Sequence, residues 1–183
     1  MAINIMVDLE TTGTESGCCI LSVALVPFDL GLELPPFYEK ISHRASRDMG
    51  FTDSSDTLAW WDKQKREVQE EAFSGTRTPL SVLESISHYM GELGEPKQLN
   101  LWGNGKDFDN VILTRYFKTL AMKLPWHYGN NWCYRDVTKL YPMVPKLANP
   151  NAHNALADAQ AQASHLELIF ERIRNGGLCI LPN

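Results

Sequence analysis

The sequence predicts an α/β domain in which a mixed five-stranded sheet is flanked by helices. Three observations predict it. The chain opens on a run with two-residue alternation, two more apolar runs follow before any helical period begins, and from Gln98 onward strand-like runs alternate with helical ones. At 183 residues the chain is long enough for one sizeable core and short for two, so residues 1–183 read as a single domain.

The opening run, Ile3 to Gly13, places Ile3, Ile5, Val7 and Leu9 on one side of a strand and Asn4, Met6, Asp8 and Glu10 on the other. Thr11-Thr12-Gly13 ends it, so Asp8 and Glu10 stand together at its carboxyl end, where α/β sheets tend to place their ligand crevices. Cys18 to Leu30 is a second strand, with Gly31 closing a hairpin, and Glu33 to His43 a third, which Pro35 and Pro36 assign to an edge or a bent start. Arg44 to Ser55 is polar and reads as a connection.

Thr57 to Phe73 is an amphipathic helix, capped by Ser55 or Asp56, with Leu58, Trp61, Val68 and Phe73 among charged residues. Thr78-Pro79 opens a second helix carrying Leu80, Leu83, Ile86, Met90 and Leu93 at helical spacing. Gln98 to Asn104 is a strand and Asp109 to Met122 a helix. Trp132 to Val137 is the fifth strand, followed by a short turn of helix, a loop at Pro142–Ala152, and a last helix from Asn154 to Arg174 that Gly176-Gly177 terminates. Helical crossovers between the late strands require them to run parallel to the first.

The composition bounds the function. No run approaches the roughly eighteen apolar residues of a membrane helix, and an intracellular, cytoplasmic protein is expected. Cys18, Cys19, Cys133 and Cys179 lack the C-x-x-C pairs of a zinc site and read as reduced and mostly buried. A net charge of −5 argues against holding long nucleic acid through a broad basic surface, although it leaves action on a chain end open. A lone Gly-x-Gly at Gly103 and Gly105 does not make a nucleotide-binding loop.

Two further stretches bring acidic groups to the edge where Asp8 and Glu10 stand. The bend Trp102–Asp109 delivers Asp109, with its neighbour Asp107 as the alternative, to the carboxyl end of a strand beside the first. In His153-Asn-Ala-Leu-Ala-Asp158 the two functional side chains would point about 140° apart on a regular helix. They converge only if His153 lies on the loop before the helix, which the Pro150-Asn151 turn favours. Carboxylates so crowded repel one another unless cations lie between them, and sites of carboxylate and water suit Mg²⁺ or Mn²⁺. A pair of such ions about 3.5–4 Å apart is the usual clamp for attack on a phosphodiester, with a histidine taking the proton of the water.

The combination of Asp8-x-Glu10 in a DxETTG setting, Asn-Gly-x-x-Phe-Asp109 and His153-x-x-x-x-Asp158 resembles the DEDDh 3′-to-5′ exonucleases, a superfamily of polymerase proofreading subunits and oligoribonucleases on a ribonuclease H-like fold. The stretch Asp56-Thr-Leu-x-Trp60-Trp61-x-x-Gln64 is similar to the branch of stand-alone phage and bacterial exonucleases or exoribonucleases. The resemblance implies that the chain hydrolyses phosphodiester bonds at the 3′ end of single-stranded DNA or RNA, releasing nucleoside monophosphates with two Mg²⁺ or Mn²⁺ ions. It implies that Asp8 bridges both ions, that Glu10 and Asp158 hold the one that activates water, that Asp109 holds the second and that His153 is the general base. Thr11 and Thr12 follow where the family grips the terminal nucleotide, and a homodimer is implied by relatives alone. The alternative is a catalytically silent nucleic-acid-binding module on the same fold. Trp61 is expected in the core, leaving Trp60 the residue free to face a cleft.

Overall fold

A computed structural model of the chain describes residues 2–28, 31 and 34–176. Its frame is a five-stranded sheet in the order β3-β2-β1-β4-β5. The strands are β1 (Ile3–Thr11), β2 (Ile20–Phe28), β3 (Phe37–Lys40), β4 (Leu99–Gly103) and β5 (Asn131–Cys133). β1 pairs antiparallel with β2 and parallel with β4, β2 pairs antiparallel with β3, and β4 pairs parallel with β5, so the sheet is mixed as expected. The helices are α1 (His43–Asp48), α2 (Ser55–Trp61), α3 (Arg66–Ala72), α4 (Pro79–Leu93), α5 (Asp109–Thr119), α6 (Tyr134–Leu140) and α7 (Ala155–Arg174). The hairpin residues Leu30 and Glu33, and Gly177 and Cys179, lie outside the described residues.

The alternation of β1 sorts its side chains between two cores. Ile5, Val7 and Leu9 pack with Leu83, Ile86 and Met90 of α4 and with Leu113 and Phe117 of α5. Met6, on the opposite face, packs with Ala155, Ala159, Ala163 and Leu166 of α7. That stripe of small residues lets α7 lie close on the face that carries Asp8 and Glu10. Cys18 and Cys19 are buried, which pushes their thiols up to about 11 and about 12 and leaves them protonated. Among the described residues no helix is long and apolar enough to cross a membrane.

Four elements differ from the sequence reading. The polar connection after β3 contains the helix α1, capped by the Ser42 hydroxyl, which accepts from the Ala45 N–H, and followed by Gly50 at φ +90. The helix expected over Thr57–Phe73 is two, α2 and α3. Ser54 caps the first, and the Gln69 amide donates to the carbonyls of Asp62 and Gln64 in the break between them. The break folds α3 back, so that Trp61 of α2 packs with Leu21 and Ala72. β3 is four residues, on the edge where its prolines put it. β5 stops at Cys133 because β4 stops at the paired Gly103; with no strand left to pair with, the chain turns helical at Tyr134, whose hydroxyl meets His165 Nδ1 at 2.9 Å.

Candidate active site

One cleft of about 690 Å³ opens at the carboxyl ends of β1 and β4. Asp8, Glu10 and Thr11 of β1, Asp109 of α5, and His153 and Asp158 at the start of α7 all line it. Three distant stretches meet there because β1 and β4 run parallel, in register from Ile3 opposite Leu99 to Val7 opposite Gly103. β4 therefore ends one residue short of Asp8, and the bend after it drops Asp109 beside that carboxylate. Between Glu10 and Thr11 the β1–β2 register slips, a bulge of the kind that re-aims side chains next to functional sites.

Oxygens of Asp8, Glu10 and Asp158 lie within 4.8 Å of one another. Asp8 is pushed well above the usual carboxylate range, first by burial and then by repulsion from Asp109, Glu10 and Asp158; a 2.8 Å hydrogen bond from the Gln162 amide opposes the shift. Burial and the repulsion of Asp158 and Asp109 push Glu10 up to about 8. Burial raises Asp109 to about 7 against hydrogen bonds from backbone N–H groups such as that of Gly105. Among the described residues no Lys or Arg forms an ion pair with these four carboxylates. The buried Gln162 Oε1, one helical turn beyond Asp158, also has no donor. An oxygen-rich set without a cation fits a hard divalent ion, which takes carboxylate and carbonyl oxygens and supplies the missing positive charge.

His153 lies on the loop before α7, as convergence with Asp158 requires. Its φ of +68 is the left-handed conformation, uncommon outside glycine though less so for His. That twist turns the His153 N–H back onto Asp158 Oδ2 at 2.9 Å, while Asn149 donates to Oδ1 at 2.7 Å. The carboxylate is thus held from two sides and the imidazole is left exposed, edge-to-face against the Trp60 ring at 4.8 Å. Trp60 lines the cleft while Trp61, buried, donates from Nε1 to the Thr11 carbonyl at 2.9 Å.

Of the two mid-chain aspartates, Asp109 is the one in the cleft; Asp107 is exposed outside it. Thr11 lines the cleft, whereas Thr12 is fully buried and does not. Its hydroxyl donates to Asp53 Oδ1 at 2.7 Å, in a cluster where His43 and Arg47 also bind Asp53. Its backbone is engaged as well, the N–H donating to the Cys19 carbonyl at 2.9 Å and the carbonyl accepting from the Ser54 N–H at 2.8 Å. Asn104 and Asp56, the first residues of two of the motifs, line the cleft, and so do Gln162 and Arg135, which no motif contains. For Gln162 a signal existed, since it follows Asp158 by four residues and so shares its helix face.

Gly103 is required by the site. A Cβ there would lie 2.3 Å from Asn110 Oδ1 and 3.1 Å from Asp109 Cβ. Gly103→Ala is expected to destabilise the protein by about 1–3 kcal/mol and to displace Asp109, lowering the melting temperature by roughly 2–10 °C. A thermal melt unchanged from wild type would show that Asn110 yields without cost.

The fold and the acidic cleft together define an α/β protein with a candidate cation site at the edge of its sheet. More particularly, the description "3'-5' exoribonuclease Rv2179c-like domain" matches residues 3–170, and the chain belongs to that family. No curated protein sequence matches it. Among solved structures it is similar to E. coli exonuclease I in complex with a dT13 oligonucleotide, with a TM-score of 0.72 and 15% identity over 96% of this chain and 42% of the other. The zinc-ion-bound form of the E. coli exonuclease I–ssDNA complex matches with a TM-score of 0.69 and 15% identity, over 97% and 42%. Cell-death related nuclease 4 matches with a TM-score of 0.61 and 15% identity, over 95% and 64%. The chain thus spans less than half the length of exonuclease I.

Proposed function

We propose that the chain removes nucleoside monophosphates one at a time from the 3′ end of single-stranded nucleic acid, using two divalent ions, Mg²⁺ or Mn²⁺. The observation that carries this reading is the convergence of Asp8, Glu10, Asp109 and Asp158 in one cleft where, among the described residues, no Lys or Arg forms an ion pair with them. Asp8, flanked by the other three, is suited to be the ligand shared by both ions, Glu10 and Asp158 to hold one of them, and Asp109 the other. Bound there, the ions supply positive charge to the attacking water and to the leaving 3′-oxygen.

The remaining work falls to the chain itself. His153 takes the proton of the water, its exposed imidazole held at the cleft wall by Trp60. Thr11 borders the terminal nucleotide, and the guanidinium of Arg135, on the first turn of α6, binds a phosphate oxygen. The family description supports RNA as the substrate, and the oligonucleotide complexes of exonuclease I keep single-stranded DNA in view. A cytoplasmic location belongs to the same proposal, with Cys18, Cys19 and Cys133 free of disulfides among the described residues. The homodimer rests on the resemblance alone and is open to sedimentation.

Purified protein with Mg²⁺ or Mn²⁺ is expected to shorten a 5′-labelled oligonucleotide in single-nucleotide steps, with matched RNA and DNA strands ranking the two sugars. No shortening of either, with binding retained, would leave a silent binding module. His153→Ala is expected to lower kcat about 10²–10⁴-fold while divalent-ion affinity changes little. An equal loss of both would place His153 among the ligands instead.

A further inference from the structure

A second cavity, of about 430 Å³, lies along the outer face of α5. We propose that it binds the stretch of single-stranded nucleic acid upstream of the 3′ end that occupies the cleft, a proposal that rests on the exonuclease reading. Lys106, Arg115 and Lys118 line it, all three are exposed, and no carboxylate lines it. In a chain with 22 acidic and 17 basic residues that segregation is notable: α5 bears no acidic residue after Asp109. Among the described residues these cations form no ion pair with the protein, so their charge faces solvent.

Aromatic surface accompanies the charge. Tyr128 lines the cavity and is 77% exposed, yet its loop is well anchored. Asn131 Nδ2 donates to the Tyr128 carbonyl at 2.8 Å, and Asn130 Nδ2 bonds the carbonyls of Lys97 and Leu99. An exposed aromatic ring on an anchored loop beside unpaired cations is the usual composition of a surface for single strands, whose phosphates meet the cations and whose bases meet the ring.

The position follows from the fold. Asn104, Phe108 and Asp109 line the cleft while Lys106 and Asn110 line the second cavity, so one bend separates the two. Arg115 and Lys118 continue along one helix face. Lys118 stands about 13 Å along the axis from Asp109, roughly four nucleotides at the ~3.4 Å stacked spacing. A net charge of −5 argues against a broad basic surface, and a single basic track leading from the cleft is compatible with it.

The test compares wild type with Lys106→Gln/Arg115→Gln/Lys118→Gln and, separately, Tyr128→Ala. Anisotropy of a labelled oligoribonucleotide of about twelve nucleotides, in EDTA so that hydrolysis cannot contribute, reads binding. The triple variant is expected to bind about tenfold or more weakly, and its log–log salt slope to fall by about 2, at ~0.7 per lost phosphate contact. Tyr128→Ala is expected to bind several-fold more weakly with the slope unchanged. With divalent ion present, hydrolysis of a dinucleotide, too short to extend from the cleft into the second cavity, is expected to match wild type in both variants. Unchanged binding and slope in the triple variant, or an equal loss on the dinucleotide, would overturn the proposal. If wild type cleaves nothing with any divalent ion and the triple variant still loses oligonucleotide binding, the exonuclease reading fails and the binding track stands.

Discussion

Asp8→Asn is expected to abolish exonuclease activity, by about a thousandfold or more (~4 kcal/mol), while raising the melting temperature of the metal-free protein. The two effects share one cause. Asp8 is buried, and Asp109, Glu10 and Asp158 repel it, so its negative charge is a standing cost to the fold when no cation is present. Asparagine keeps the volume and the oxygen that accepts from Gln162, and it removes the charge. Each kcal/mol so relieved is worth roughly 2–4 °C in a chain of this size. Saturating Mg²⁺ or Mn²⁺ reverses the order, because an ion that binds only the native state stabilises wild type and gains little hold on the variant. Paired melts in EDTA and in excess ion, alongside the rate assay, check both halves. An Asp8→Asn protein that melts well below wild type in EDTA would show that Asp8 serves the fold rather than an ion.

That Asp8 and Glu10 share one face of β1 was legible in the sequence, because strand geometry permits nothing else once the alternation is recognised. The order of sheet and helices was legible for the same reason: long periodic runs such as α4 and α7 announce themselves, and a parallel pair such as β1 and β4 needs a crossover. The short elements were not. α1 is six residues, five of them polar, with no period, and the break between α2 and α3 depends on Gln69 reaching carbonyls five and seven residues away, a decision that local propensity does not encode. β5 is shorter than its apolar run because its length is set by where β4 stops.

The site divides in the same way. The acids could be named from their spacing, and His153 and Asp158 from the need for a loop between them. The left-handed φ at His153, which uses its backbone to hold Asp158 while freeing its ring, follows only from coordinates. The resemblance puts Thr12 against the terminal nucleotide, yet the charged cluster of Asp53, His43 and Arg47 draws its side chain inward. Arg135 was invisible in sequence because it reaches the cleft only through the early end of β5.

In EDTA, the melting temperature is expected to fall as pH rises from about 5 to about 8, opposite to the behaviour of ordinary paired carboxylates. Glu10 is pushed up to about 8 and Asp109 to about 7, mainly by burial, while their unfolded values are near 4. The native state therefore binds protons that the unfolded state has already released. The stability these groups contribute is complete below about pH 4 and is lost as pH climbs through their folded values. Asp53 supplies the contrast within the same molecule. Its burial alone would raise it, but hydrogen bonds from Thr12, His43 and Arg47 hold it at about 2, so its contribution persists at neutral pH and fades only in acid. Divalent ions and protons compete for the same oxygens. Calorimetric titration near pH 6 in buffers of different ionisation enthalpy is expected to show release of about one or more protons per binding event, falling towards pH 9 as apparent affinity rises. A melting temperature flat from pH 5 to 8 without metal, together with ion binding that releases no protons, would mean that the four carboxylates are ionised in the free protein. The electrostatic pressure that makes this cleft a cation site would then be absent.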